Sequence, residues 1–235
     1  MIRLDKFLCE MEIGTRSQVK DIIKKGQVSV NGEVIKKADY KFDETVSKVF
    51  VKEKEISYQK FFYYMLNKPA GVVSATTDNH DKTVLDLLKE APGKDLFPVG
   101  RLDKDTEGLL LITNDGELSH NLLSPKKHVE KTYLVKTAES VTTDMIQALE
   151  KGVDIGEEKI TLPAKVKVLE DKEMELTITE GKFHQVKRML KAVNNEVVYL
   201  KRLSMGSLLL DANLELGEYR NLTEKEVDEL KIRQL

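Results

Sequence analysis

Apolar positions follow two different rhythms along this chain. Near the start, Leu4, Phe7, Leu8 and Met11 recur at helical spacing, and Val19, Ile22 and Ile23 do so again after Gly14. Thr15-Arg16-Ser17 supplies N-cap side chains for the second helix, and Gly26 ends it. The stretch QVSVNGEVI then alternates around Asn31-Gly32, a pair suited to a two-residue hairpin. Helix, helix, hairpin is too small to be the whole protein.

Past the charged run Lys52-Glu53-Lys54-Glu55, which reads as a linker, strand patterns dominate. Strands are expected over 61–66, 108–113, 131–137, 165–169, 174–179 and 197–205. Helices are expected over 83–89 (capped by Thr83), 117–123, 142–151, 183–193 and 224–230. Turns are expected at 67–71 and at Asn114-Asp115-Gly116. Short connections and more strands than helices predict an α+β fold with a mixed sheet. The division expected is 1–56 for a small domain with its linker and 57–235 for a larger one.

Composition narrows the class. At 235 residues with 40% hydrophobic and 33% charged, the chain can hold a small domain beside a larger core. No apolar run approaches the ~18 residues of a membrane span, so no membrane association is expected. The opening Met1-Ile2-Arg3-Leu4-Asp5-Lys6 carries an early acid and lacks the apolar run of a signal peptide. A single cysteine, Cys9, excludes an internal disulfide and a cysteine-based zinc site, which suits a cytoplasmic location. His80, His120, His128 and His184 are scattered without ligand spacing, so no metal is expected.

The net charge of −2 conceals two basic regions. Residues 1–41 carry nine basic against six acidic side chains, and residues 180–205 carry six against two. Acid collects instead over 139–175 and in the last helix. Local basic regions in a near-neutral chain point to a polyanion footprint.

RLDKFL with GTRSQVKDIIKKGQVSVNGEVI resembles the small S-four-like RNA-binding domain. That resemblance implies RNA contacts by Arg3, Arg16, Ser17, Lys20, Lys24 and Lys25. Lysine and arginine suit the task because phosphate neutralisation and counterion release supply the affinity. Farther on, NKPAG (67–71), FPVGRLDKDTEGLLLITNDGELSHNLL (97–123), KTYLV (131–135) and ITEGKFHQVKRM (178–189) occur in order. Together, behind an S-four-like domain, they resemble the rRNA pseudouridine synthases of the small-subunit type, whose sheet is mixed and mainly antiparallel with flanking helices.

The resemblance implies roles residue by residue. Asp103 in Gly100-Arg101-Leu102-Asp103 falls on the catalytic aspartate, Tyr133 on the tyrosine that packs against the target base, and Lys187 on the basic partner of the aspartate. Arg101 and Ile178 fall on substrate-pocket positions, and Lys182, His184 and Arg188 on the RNA-facing surface. Lys68 and Pro69 belong to a structural motif. Asp105 and Glu107 read as turn chemistry beside a buried strand. Isomerising uridine to its C-glycoside needs no redox change or energy input, so no cofactor is expected. A carboxylate can attack as nucleophile or act as base at the sugar, an extruded base can rest on an aromatic face, and a neighbouring cation keeps a carboxylate ionised and oriented.

Lysine at position 187 is closer to the small-subunit enzymes, whose large-subunit relatives usually carry arginines around this motif. The expected partner is therefore 16S-type ribosomal RNA, within a pre-ribosomal particle and with the protein as a monomer. A 23S-type substrate and a non-catalytic ribosome-assembly factor stay open as alternatives.

Overall fold

Helix ends are set by the groups that satisfy their free backbone amides, and the second helix of this chain does this as its pattern predicts. In a computed structural model describing residues 1–232, β1 (Ile2–Arg3) leads into α1 (Leu4–Glu10) and then α2 (Arg16–Lys24). Thr15 and Gln18 close a capping box: the Gln18 amide donates to the Thr15 hydroxyl at 3.4 Å, and the Thr15 amide to Gln18 Oε1 at 2.8 Å. Then come β2 (Val28–Val30), β3 (Glu33–Val34), β4 (Lys41–Phe42), β5 (Val49–Val51) and β6 (Lys54–Ile56). Leu4, Phe7 and Leu8 of α1 and Val19 and Ile23 of α2 share a core with Val28, Val30, Phe42 and Val49. Asn31 and Gly32 both take positive φ between β2 and β3, as a twisted two-residue hairpin requires.

The charged run 52–55 is where structure and expectation differ. It is no linker: Lys52 takes φ 57° in the turn from β5 to β6, within a sheet ordered β3-β2-β5-β6. Its charges lie in that turn and, as Lys54 and Glu55, on the edge strand β6, where they stay solvated and discourage further pairing. The first compact unit covers Met1–Phe62 together with Ala91–Asp95, and the remaining residues form the second.

The second unit contains β7 (Tyr63–Lys68), β8 (Phe97–Pro98), β9 (Glu107–Thr113), α3 (Gly116–Leu123), β10 (Lys131–Thr137), α4 (Thr143–Lys151), β11 (Lys165–Glu170), β12 (Glu173–Ile178), α5 (Gln185–Ala192), β13 (Val197–Met205), β14 (Leu208–Leu209), β15 (Tyr219–Asn221) and α6 (Glu224–Ile232). Seven strands run in the order β11-β12-β10-β13-β9-β7-β15, with β14 beside β13 and β8 beside β9. Among the described strands of this sheet β9 and β13 pair in parallel and the other pairings are antiparallel. Leu109, Leu110, Leu111 and Ile112 are buried at successive positions, so β9 is covered on both faces. Leu118 and Leu122 of α3 and Leu230 of α6 share a core with Met65, Leu109 and Leu111.

Three local expectations change in the second unit. Asn67 and Lys68 are not turn residues but the buried end of β7, and both bond groups distant in sequence: Asn67 Nδ2 donates to the Leu214 carbonyl at 2.7 Å and Lys68 Nζ to the Thr106 carbonyl at 2.8 Å. The helix expected over 83–89 is a single 3₁₀ turn, Val84–Leu87, although Thr83 caps it as predicted. Asp115 does more than turn the chain, because its carboxylate accepts the Leu118 amide at 3.0 Å as the N-cap of α3.

Candidate active site

The loop between β8 and β9 carries Gly100-Arg101-Leu102-Asp103, and polar groups from another segment hold it. Ser74 and Leu102 bond reciprocally: the hydroxyl donates to the Leu102 carbonyl at 2.9 Å, while the Leu102 amide donates back at 3.0 Å. Lys68, fully buried at the end of β7, places its ammonium against four carbonyls. These belong to Pro69 (3.0 Å), Asp103 (3.1 Å), Lys104 (3.3 Å) and Thr106 (2.8 Å). Burial draws the Lys68 pKa down to about 8, against the raising effect of Asp105 and Asp103. The sequence motif read as structural is thus a clamp on the backbone that presents Asp103.

Behind this loop the chain passes Gly108 at φ +101°. A Cβ there would lie 2.3 Å from the Arg202 carbonyl oxygen. Only glycine lets β9 lie this close to β13.

Asp103 meets two groups from the region that begins α5. Lys187 Nζ lies 3.2 Å from Asp103 Oδ2, and His184 Nε2 lies 3.5 Å from Oδ1. The lysine is closer to Asp105, at 2.6 Å. Burial opposes the charge on Lys187, but Asp105 and Asp103 outweigh it and hold the lysine above its ordinary pKa. The bond from Lys187 in turn holds Asp105 below the usual carboxylate range. Asp105 is therefore a partner of the lysine rather than turn chemistry alone. Glu107 is engaged too, accepting the Tyr199 hydroxyl at 2.7 Å.

A cleft of about 620 Å³ brings these residues together with the pocket candidates. Arg101, Asp103, Tyr133, Ile178, Lys182, His184 and Lys187 all line it. Tyr133 and Ile178 are buried on neighbouring strands, whereas Arg101 is exposed at the mouth. His184 takes φ 47° just before α5 and stacks on the exposed Phe183 ring, with centroids 3.8 Å apart. Lys182 spans Glu180 at 3.6 Å and the Lys159 carbonyl at 3.3 Å. Arg188 does not line the cleft; its guanidinium bonds Glu157 at 2.7 Å and the carbonyls of Phe183 and Ile155.

The candidates of the first unit form one group. Arg16, Ser17, Lys20 and Lys24 are exposed on α2, and Lys25 is exposed at its C-cap. Arg3 is exposed as well but forms a two-bond pair with Asp5, at 3.0 and 2.7 Å, which raises its pKa. Sequence reasoning passed over Lys131 and Arg202, two buried cations that also line the cleft. Lys131 opens the quoted motif KTYLV but carries no role there, and nothing in the local pattern of Arg202 marks it.

Residues 62–192 match the RNA pseudouridylate synthase family, and residues 2–45 match the S4 domain. The chain is 50% identical over 231 residues to an uncharacterized RNA pseudouridine synthase of Bacillus subtilis, covering 96% of this chain and 97% of that one. It is 45% identical over 227 residues to the ribosomal small subunit pseudouridine synthase A of Vibrio cholerae, covering 96% and 98%. A crystal structure of a pseudouridylate synthase matches with a TM-score of 0.69 at 40% identity, covering 98% of this chain and all of that one, 100%.

Proposed function

Because this chain belongs to the RNA pseudouridylate synthase family, we propose that it converts one uridine of 16S-type ribosomal RNA to pseudouridine, with Asp103 as the reactive carboxylate. The observation that carries this reading is the gathering of Asp103, Tyr133, Ile178 and Lys187 around one cleft, from three separate motifs of the chain. The small-subunit substrate is supported by the name of the Vibrio cholerae relative, at 45% identity over nearly the full length of both chains.

The reaction breaks the bond from C1′ of the sugar to N1 of uracil, turns the ring, and joins C1′ to C5. The hydrogen on C5 leaves as a proton and N1 gains one, so product and substrate are isomers. No oxidant, reductant or cofactor enters that balance. Asp103 serves as nucleophile at the sugar or as base there, and in both routes the electron pair departs with the ring. Lys187 orients the carboxylate through its 3.2 Å contact. Tyr133 and Ile178 give the extruded base apolar surfaces to rest on, which offset its loss of stacking.

The exposed basic face of α2 binds the RNA backbone, and Arg101, Lys182 and His184 meet the RNA around the cleft. The protein works as a monomer in the cytoplasm, on rRNA within a pre-ribosomal particle. Among the described residues no helix is long and apolar enough to cross a membrane.

The test is a carbodiimide map of rRNA pseudouridines from a strain lacking the gene, before and after incubation with the purified protein. One site should return in 16S-type RNA, and Asp103→Asn should abolish its return while RNA affinity stays within about twofold. A site returning in 23S-type RNA would overturn the substrate assignment. No returning site would overturn the rRNA assignment altogether.

A further inference from the structure

Lys131 and Arg202 are 8% and 2% exposed, and neither meets a carboxylate among the described residues. Lys131 Nζ donates to the Val129 carbonyl at 3.0 Å. Arg202 Nε donates to the Leu109 carbonyl at 2.8 Å, while its Nη2 is buried without a hydrogen-bond partner. Each cation raises the cost of the other, and burial together with Arg202 draws the Lys131 pKa down to about 8. A fold gains nothing from two unpaired buried cations side by side. They become favourable where a ligand brings negative charge.

Their place in the sheet says which part of the ligand that is. Lys131 precedes Tyr133 by two residues, on the same face of β10, and pairs across the ladder with Ile178. Arg202 on β13 stands directly opposite Tyr133. Both cations line the cleft with Asp103. A pyrimidine resting on Tyr133 and Ile178 would have both cations within the same cleft wall.

We propose that Lys131 and Arg202 form a cationic floor that receives a carbonyl oxygen of the target uracil and stabilises the negative charge on the ring once its bond to the sugar breaks. The assignment rests on the uridine-isomerase reading. When the C1′–N1 bond breaks, its electron pair stays on the ring and spreads onto O2 and O4. Preorganised cations at those oxygens act on charge that develops during the reaction, where they accelerate most. The floor has no further role once C5 has bonded to C1′ and its proton has left.

The experiment compares the full-length protein with Lys131→Met, Lys131→Arg and Arg202→Met on total rRNA from a strain lacking the gene. The single-turnover rate, RNA affinity and Tm are measured for each. Lys131→Met should slow isomerisation about 100-fold, with RNA affinity within twofold and Tm unchanged or raised, since a buried charge is gone. Lys131→Arg keeps the charge and should retain most of the rate. It should also move the alkaline limb of the rate profile upward from about pH 8, the value to which burial draws Lys131. The other charged or titratable groups facing the cleft are Arg101, Asp103, Lys104, Tyr133, Glu180, Lys182, His184, Lys187 and Arg202. They are common to wild type and variant, so the difference isolates Lys131.

Unchanged turnover in Lys131→Met overturns the proposal. So does a parallel loss of affinity and turnover, which would assign the pair to a backbone phosphate. A lowered Tm with a rate lost equally in Lys131→Met and Lys131→Arg would make the role structural and overturn it as well. If Arg202→Met fails to fold for want of its bond to Leu109, the Lys131 variants decide alone. The comparison is read on whichever rRNA is turned over, so turnover of 23S-type RNA removes the substrate assignment without touching this test.

Discussion

Lys187 stands 2.6 Å from Asp105 but 3.2 Å from Asp103, so the acid assigned no chemistry holds the lysine more closely than the one proposed to react. The pair of acids divides a single task. Asp105, largely exposed, anchors the ammonium, and the anchored ammonium then meets Asp103 in a fixed place.

That division makes Asp105→Asn informative. Loss of the anchoring charge should lower turnover about tenfold, the order of one surface-exposed charged contact, while Asp103→Asn removes turnover entirely. Single-turnover kinetics at saturating RNA distinguish the two. Equal rates in wild type and Asp105→Asn would show that the lysine needs no second acid.

Lys68→Met should separate binding from chemistry at a distance from the substrate. Three carbonyls of the Asp103 loop, and that of Pro69 beside the lysine, would lose their common donor. Stability should fall by about 2–4 kcal/mol, since buried acceptors are left unpaired, and turnover should fall by more than RNA affinity. Urea denaturation and RNA binding measured on the same preparation check both.

Gly108→Ala should be among the most damaging single changes in the chain. The added carbon meets backbone atoms of Arg202 at 2.3 and 2.7 Å, at a φ that L side chains rarely adopt. Relief requires β9 and β13 to part, so a loss of at least ~3 kcal/mol is expected. Thermal denaturation of the soluble fraction measures it.

Stability should rise with pH just above 8. Burial lowers the pKa of both Lys68 and Lys131 to about 8 from an ordinary 10.5. Above that lower value the folded protein releases protons that the unfolded chain still holds, so stability increases with pH. Below it both states are protonated, and the folded state bears the full cost of two buried cations. Tyr63 and Tyr199 are shifted upward by burial and by their bonds to Asp115 and Glu107, and they oppose this only above their ordinary 10.0. The urea midpoint should therefore climb from pH 7.5 to 9.5, and Lys131→Met should climb less steeply.

Charge reversal at Lys20 and Lys24 should weaken RNA binding without altering Tm, because both side chains are exposed on α2. Each lost phosphate contact should reduce the slope of log affinity against log salt by about one. A titration at several salt concentrations reads this directly.

The parts of the fold legible in the sequence are those built by neighbours along the chain. Periodicity placed α1 and α2, the Asn31-Gly32 hairpin followed from backbone preference, and Thr15 and Thr83 cap the helix expected of each or its shorter form, whereas Thr142, read as the first residue of its helix, is the N-cap of α4. Asp103, Tyr133, Ile178 and Lys187 were found through ordered motifs, and the cleft brings all four together. The charged run 52–55 misled because solvated charge is equally at home in a linker and on an edge strand.

What the sequence alone determined is roughly where most helices and strands lie and which side chains to propose for the chemistry. Whether a charge is buried, and beside what, came only from the pairing of distant strands. Lys68 reads as a turn residue until β7 carries it under the Asp103 loop. Arg202 reads as a strand cation until β13 lies parallel to β9, and Lys131 and Arg202 become neighbours only across the β10–β13 ladder. Electrostatic cost depends on surroundings rather than on residue type, and those surroundings are assembled from segments up to about a hundred residues apart.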